Sequence, residues 1–148
     1  MLTKAIQLGD PLLVAPLLDI EGVCVNRRDK LGSTPLLLAT SYGNYEITKL
    51  LLKHKTQLED SDSIGNTPIF NAVLRDNLPL IQLLLMNGAS LYHRNYERKL
   101  PLDYAKSKKC RNLLKRLIGR SSSSFLPTAK SLSPVQKAIP KIKDYQSV

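Results

Sequence analysis

Apolar side chains recur between residues 1 and 118 in short runs that alternate with polar, turn-forming segments. An apolar run that begins at Pro35 stops near Gly43, and glycine commonly ends a helix in the left-handed conformation. Between Glu46 and Lys53, the apolar residues Ile47 and Leu51 fall on one face at helical spacing. The pattern therefore predicts a pair of short helices joined by a tight turn.

The same pattern returns 33 residues later, from Asp29 to Asp62, and a divergent third version begins at Asn95. In full, Asp29-Lys-Leu-Gly-Ser-Thr-Pro becomes Asp62-Ser-Ile-Gly-Asn-Thr-Pro. The register also aligns the apolar positions: Ala39, Ala72 and Ala105; Ile47, Leu80 and Leu113; Leu50–Leu52 and Leu83–Leu85; Leu58 and Leu91. A fixed period of this length predicts stacked repeats that share one hydrophobic core.

Each turn carries residues that favour the start of a helix. Thr34 and Thr67 are expected to cap the helices that follow by accepting hydrogen bonds from the first N–H groups. A proline follows each threonine at the first helical position, where its missing N–H costs nothing. Asp76 stands where Gly43 predicts a glycine, so we expect a left-handed non-glycine residue there.

The Thr-Pro turns and the period resemble the ankyrin repeat, a turn–helix–helix unit. The resemblance implies an all-α solenoid of about four helix pairs over residues 1–118. Its central repeats would span 29–61 and 62–94, and its capping repeats 1–28 and 95–118. Leu37, Phe70 and Asp103 replace the histidine of the family pattern. The hydrogen-bond network that this histidine makes between neighbouring turns is therefore expected to be weaker.

The character of the chain changes after Ile118. Residues 119–148 are rich in Ser, Pro and Lys and keep no helical or strand period, which predicts a basic, disordered tail. The tail is either an inert extension or a linear motif, such as a phosphorylation site at Ser133-Pro134 or a targeting signal. Similar repeat proteins also occur among the effectors that intracellular bacteria deliver into host cells. An exported effector acting on host proteins is therefore a further alternative.

The chain carries a formal net charge of +10, and basic side chains gather in its last repeat. They are Lys106, Lys108, Lys109, Arg111, Lys115 and Arg116, with no acidic residue from Tyr104 to Arg120. One interpretation is a solvated outer face whose cations complement the helix dipole. The alternative is an electrostatic site for nucleic acid, an anionic membrane or an acidic protein. The segment 108–111 also resembles a short nuclear import motif.

Candidate catalytic chemistry is sparse in this sequence. His54, His93, Cys24 and Cys110 stand apart in the repeat, so we expect neither a zinc site nor a disulfide framework. There is no phosphate-binding glycine loop, no nucleophile elbow, and no apolar run near the ~20 residues of a membrane-spanning helix. These absences predict a non-enzymatic, cofactor-free protein, which we expect to be a monomer. Asp10 interrupts the apolar N-terminal stretch, so we expect no signal peptide. Two lone thiols favour a reducing compartment such as the cytoplasm.

The resemblance implies a concave binding surface built from the turn tips and the first helix of each pair. The corresponding tip residues are Lys30, Leu31, Ser33, Ser63, Ile64, Asn66, Tyr96, Glu97 and Lys99, and the first-helix residues are Ser41, Tyr42, Leu74, Arg75, Ser107 and Lys108. Several are apolar or aromatic where the core does not require it, which favours an interface. The prediction is an adaptor, scaffold or inhibitor whose protein partner has an apolar centre and an acidic rim. The alternative is a binder of nucleic acid or anionic lipid that uses the basic C-terminal repeat and tail.

Overall fold

The computed structural model describes residues 1–123, with side chains described as far as residue 120. Over this range the chain forms seven α-helices, one 3-10 helix and no strand. The helices are α1 (Leu2–Leu8), α2 (Pro11–Leu18), α3 (Pro35–Ser41), α4 (Tyr45–Leu52), α5 (Pro68–Leu74), α6 (Leu78–Met86), the 3-10 helix (Pro101–Tyr104) and α7 (Lys108–Ser123). The all-helical fold predicted from the sequence is confirmed.

The helices are arranged in two layers. The first helices of the pairs, α1, α3, α5 and the 3-10 helix, contact one another in chain order, and the second helices α2, α4 and α6 do the same. Buried apolar side chains form two clusters, and Leu52 and Leu58 pack against both. Because the clusters share these residues, the core continues from α1 to α7, as a stack of repeats requires.

Three turns with the same hydrogen bonds precede the last three pairs. In each, one side-chain oxygen of the first residue accepts two backbone N–H groups, as in other Asx turns. Asp29 Oδ1 accepts from Leu31 and Ser33 (both 2.9 Å), Asp62 Oδ1 from Ile64 (3.0 Å) and Asn66 (2.9 Å), and Asn95 Oδ1 from Glu97 and Lys99 (both 3.0 Å). The backbone is thus repeated even where the side chains diverge.

The fourth residue of each turn has a positive φ, which is 81° at Gly32, 83° at Gly65 and 61° at Arg98. Glycine is also needed at position 65 for space, since an added Cβ would lie 2.7 Å from the backbone nitrogen of Tyr96. Arg98 adopts the same conformation with a full side chain and therefore carries its steric cost.

The two threonines of the turns behave differently. Thr34 Oγ1 accepts a hydrogen bond from the Leu37 N–H at 3.3 Å, as predicted. In α5 the equivalent N–H, that of Phe70, donates instead to the backbone oxygen of Thr67 at 2.9 Å. The buried Thr67 Oγ1 has no hydrogen-bond partner within the part of the chain that the structure describes. The prediction that Thr67 caps α5 with its side chain is therefore wrong, because its target N–H is already used.

Left-handed residues follow both central first helices, with φ of 71° at Gly43 and 56° at Asp76. The expectation for Asp76 is confirmed. Its N–H donates to the carbonyl oxygen of Val73 at 2.9 Å, and the next N–H, that of Asn77, donates to Ala72 at 3.1 Å. These bonds satisfy carbonyl groups that a helix end would otherwise leave free.

The last pair departs from the others. Its first helix is a single 3-10 turn, and α7 begins at Lys108, about one helical turn earlier than the repeat register would place it. Ser107 caps α7, since its Oγ accepts from the Cys110 N–H at 3.0 Å and donates to Asp76 Oδ1 at 2.7 Å. The prediction that Ser107 and Lys108 lie on a first helix is therefore wrong.

Helix α7 extends to Ser123, past the predicted domain boundary at Ile118. The division into a repeat domain (1–118) and a tail (119–148) stays a prediction, and the predicted disordered segment after residue 123 lies outside the described residues. Among the helices of residues 1–123, none combines the length and the apolar character needed to cross a bilayer.

Candidate interaction surface

Hydrogen bonds between repeats hold the turns side by side. The Arg28 guanidinium donates to the Gly32 carbonyl of the first turn at 2.6 Å and to the Ser61 carbonyl ahead of the second at 2.8 Å. The Tyr96 N–H donates to the Ile64 carbonyl at 3.1 Å, which joins the second turn to the third. The turn tips therefore form one pre-ordered surface, and a partner that binds it would lose little entropy in fixing them.

Three large apolar side chains project from these tips. Leu31 is 81% exposed, Ile64 55% and Tyr96 74%. The Tyr96 ring lies against the second turn, since its Cδ1 is 2.7 Å from the point where a Cβ at Gly65 would stand. We call the surface formed by Leu31, Ile64 and Tyr96 the tip surface. It brings together three of the residues predicted from the sequence.

Two charged side chains on the third tip, Glu97 and Lys99, form an ion pair. The Glu97 carboxylate lies 2.9 Å from the Lys99 ammonium, and the Tyr104 hydroxyl donates to Glu97 at 3.4 Å. The hydrogen bond between Glu97 and Lys99, followed by their mutual charge, lowers the pKa of Glu97 and raises the pKa of Lys99. Lys99 also lies 5.6 Å from the centre of the Tyr104 ring. Glu97 and Lys99 therefore neutralise each other, and the exposed Arg98 between them leaves this tip positively charged.

Asn66 was predicted at an accessible tip, and that placement is wrong. It is only 2% exposed, and its Oδ1 accepts a hydrogen bond from Asn95 Nδ2 at 3.0 Å. The same amide of Asn95 donates to the Tyr104 hydroxyl at 2.8 Å. Because Asn66 is engaged in this bond between turns, its side chain is not available to a partner.

At the tips, Lys30 and Ser63 are exposed and Ser33 is half-buried. The ends of α3 and α5 contribute four further predicted residues. Tyr42 is 51% exposed, and Ser41 is exposed as well. Arg75 is exposed, but its Nε donates to the Ser41 carbonyl at 2.6 Å and its side chain lies over Gly43. Leu74 is half-buried. This region therefore offers an aromatic side chain and a cation held in one position.

The basic residues of the last repeat lie mainly on the exposed side of α7. Lys108, Lys109, Lys115 and Arg116 are exposed, whereas the Arg111 guanidinium donates to the Ala105 carbonyl at 2.9 Å. Cys110 points into the core, where burial first, and then the nearby Asp76, raise the pKa of its thiol to about 11. The segment 108–111 is thus helical and partly engaged in the fold.

His93 has neighbours that account for its position in the fold. His93 lies 4.0 Å from the Glu59 carboxylate and stands edge-on to the Phe70 ring. Cys24 and Cys110 are both free thiols. Across the described residues, no group of three or more His, Cys, Asp or Glu side chains could hold a metal ion.

Some contacts between repeats were missed at the sequence level. Arg28 and Arg94 occupy the same repeat position, and each donates to the carbonyl group four residues further on. Asn26 and Glu59 are likewise equivalent, and each accepts the backbone N–H located 31 residues later, at 2.9 Å. The 33-residue register carried this signal, because polar residues at equivalent positions of the loops make equivalent bonds.

Comparison with protein-family models matches residues 2–95 to ankyrin repeats, in three copies. The chain belongs to the ankyrin-repeat family. The match ends at Asn95, where the divergent last turn begins, so the shortened last ankyrin repeat follows the matched segment. A search of curated proteins found no match. Ankyrin repeats are generally protein–protein interaction modules and are typically non-catalytic.

Proposed function

We propose that this ankyrin-repeat protein is a non-enzymatic adaptor, scaffold or inhibitor that binds a protein partner through the tip surface and the neighbouring ends of the first helices. The observation that supports the proposal best is the exposure of Leu31, Ile64 and Tyr96 on turns that hydrogen bonds connect and fix. Large exposed apolar groups that are held in place together are typical of interaction sites, and aromatic anchors often dominate the binding energy.

The partner that fits best has an apolar centre and an acidic rim. Lys30, beside Leu31, and Arg75 are both exposed, and neither forms an ion pair with any described residue. Carboxylates on the partner would complement these cations. Such rim charges orient the partner and speed association more than they add affinity, so the apolar contacts would supply most of the binding energy.

The test compares the full chain with two triple variants. The tip variant carries Leu31→Ser, Ile64→Ser and Tyr96→Ser. The control variant carries Leu12→Ser, Ile20→Ser and Tyr92→Ser, whose side chains are 82%, 56% and 47% exposed and lie outside the turns and first helices. Both variants remove exposed apolar groups, so they differ mainly in where those groups were.

The measurement is quantitative affinity purification. We expect the parent and the control variant to capture the same partner protein in equal amounts. The tip variant should capture about tenfold less of that partner, or none. Equal capture by all three proteins would contradict the proposal. Circular dichroism spectra of the variants verify that each is folded.

The exposed cations of α7 support a second candidate function, the binding of nucleic acid or anionic lipid. Lys108, Lys109, Lys115 and Arg116 are exposed, and α7 contains no acidic residue. It also contains no aromatic residue on which a base could stack, which favours the protein partner. Binding to phosphate groups would weaken steeply with salt and would be lost in Lys108→Glu/Lys109→Glu but kept in the tip variant.

A further inference from the structure

Two grooves open on the layer of second helices, away from the residues of the tip surface. One lies between α4 and α6 with a volume of about 480 Å³, and the other lies between α6 and α7 with about 390 Å³. Gln82 lines both. The two grooves therefore flank a single helix, and we call them together the α6 groove.

Helix α6 is strongly apolar, like α2 and unlike α4 and α7 in the same layer. Its sequence is Leu-Pro-Leu-Ile-Gln-Leu-Leu-Leu-Met, with one polar residue, Gln82. Leu80, Ile81, Leu84 and Leu85 fill the core, whereas Leu78, Leu83 and Met86 are half-buried and line the grooves. The solvent-facing side of such a helix is normally polar. Leu78, Leu83 and Met86 also pack against the core, and their remaining exposed parts form the apolar floor of the grooves.

Cations border this floor on both sides. Lys49 and Lys53 lie on the α4 side, and Lys109 and Arg116 lie on the α7 side. Neither groove is lined by an acidic residue. These four side chains form no ion pair or hydrogen bond with residues 1–120, in contrast to Lys99 on the third tip. The groove therefore has an apolar floor and a positive rim without counter-charge.

We propose that the α6 groove is a second docking site, which binds an acidic amphipathic segment of a protein partner. The segment places apolar side chains on Leu78, Leu83 and Met86 and carboxylates opposite the flanking cations. An amphipathic helix that presents residues i, i+3, i+4 and i+7 fits a groove of this kind. The site is separate from the tip surface, so one molecule of this protein can connect two partners.

Charge distinguishes an acidic peptide segment from the other possible occupants of the α6 groove. Residues 124–148 contain four lysines and one aspartate, and the whole chain has a net charge of +10. The rim therefore repels both the chain's own C-terminal segment and a second copy. Nucleic acid has the correct sign of charge but no use for the apolar floor, and Tyr45 is the single aromatic residue that lines the described grooves.

The test selects binders of the full chain from a displayed library of random 16-residue peptides at physiological salt. We expect enriched peptides that are acidic and carry apolar residues at helical spacing. A synthetic copy of the best peptide should bind Lys49→Glu/Lys109→Glu about tenfold more weakly, because attraction becomes repulsion on both rims. Met86→Gln should weaken binding several-fold, since it makes the floor polar without changing the charge.

Two controls locate the binding. Lys4→Glu/Arg27→Glu reverses two exposed charges on the first repeat and should alter the affinity less than about twofold. The tip variant should bind the peptide as the parent does, so failure here is distinguishable from failure of the tip-surface function. A library without acidic binders would overturn the proposal. So would equal losses in both charge-reversal variants, or displacement of the peptide by a single-stranded oligonucleotide of the same charge.

Discussion

For the change Asn95→Asp, the repeat register and the structure predict different effects on stability. At this position the two preceding turns carry Asp29 and Asp62, whose carboxylates close those turns. The register alone therefore predicts that aspartate is harmless at position 95. The structure predicts a marked loss of stability, because the side-chain amide of Asn95 also donates a hydrogen bond to the buried Asn66.

The magnitude follows from the bonds of Asn95. Its Oδ1 accepts two backbone N–H groups at 3.0 Å, and an aspartate oxygen can replace it there. Its Nδ2 donates to Asn66 Oδ1 at 3.0 Å and to the Tyr104 hydroxyl at 2.8 Å. The hydroxyl can rotate and donate to a carboxylate, whereas the Asn66 amide must turn over to do so. The new charge would also be buried, because Asn95 is only 4% exposed. Incomplete satisfaction of a buried polar or charged group costs at least about 1–3 kcal/mol, so we expect about 2 kcal/mol less free energy of unfolding.

Urea denaturation of the full chain, followed by far-ultraviolet circular dichroism, measures this loss; the chain has no tryptophan for a fluorescence assay. Asn66→Ser provides the matched background, because serine stands at the equivalent position 33 and Asn66 makes no other side-chain hydrogen bond to the described residues. In that background the serine hydroxyl can rotate and donate to the carboxylate, so Asn95→Asp should cost about 1 kcal/mol less than in the parent, and this difference is the coupling energy of the pair. An Asn95→Asp protein as stable as the parent would refute the reasoning.

Three further changes test individual features of the fold. Arg98→Gly removes a side chain from a left-handed residue (φ 61°), and we expect urea denaturation to show a gain of about 1 kcal/mol; no gain would contradict the steric cost. Thr67→Val removes a buried hydroxyl that lacks a partner among the described residues and should raise the unfolding free energy by up to ~1 kcal/mol. Thr34→Val removes a helix cap and should lower the unfolding free energy by a similar amount. If thermal denaturation showed the same effect for both valine variants, the two threonines would not differ as the structure indicates. In titration with a thiol reagent, the exposed Cys24 should react at once and the buried Cys110 only on unfolding. Because the pKa of Cys110 falls from about 11 toward its ordinary 9.0 when the chain unfolds, stability should decrease as pH rises from 9 toward 11, and this part of the decrease should vanish in Cys110→Ala.

The fold could be predicted because the same pattern of buried positions occurs in more than one repeat of the sequence. Ala39, Ala72, Ile47 and Leu80 are aligned by the register, and all four are fully buried. A buried face repeated at one period requires the same packing each time, so the helix pairs and the shared core follow from the pattern. The exposure of Leu31 and Ile64 followed from the same register, because apolar residues at turn tips have no core to enter.

The departures arise where one side chain depends on a neighbour in another repeat. Asn66 is buried because the amide of Asn95 reaches it, and Ser107 is fixed because Asp76 accepts its hydroxyl. The failed cap at Thr67 is different, because its cause lies within one repeat: the first turn of α5 closes on the backbone oxygen of Thr67 instead. A single-repeat pattern contains neither the Asn66–Asn95 pairing nor the Asp76–Ser107 pairing. The α6 groove was missed for the same reason, since its floor and rims come from three different helices.

The most direct test of the tip-surface function is hydrogen–deuterium exchange of the full chain, measured by mass spectrometry with and without the partner that the tip variant fails to capture. The predicted result is slower exchange in the turns 29–34, 62–67 and 95–100 and at the ends of α3 and α5, where the partner excludes water. Slower exchange confined to α6 and α7, with the turns unchanged, would contradict the assignment of the tip surface as the binding site.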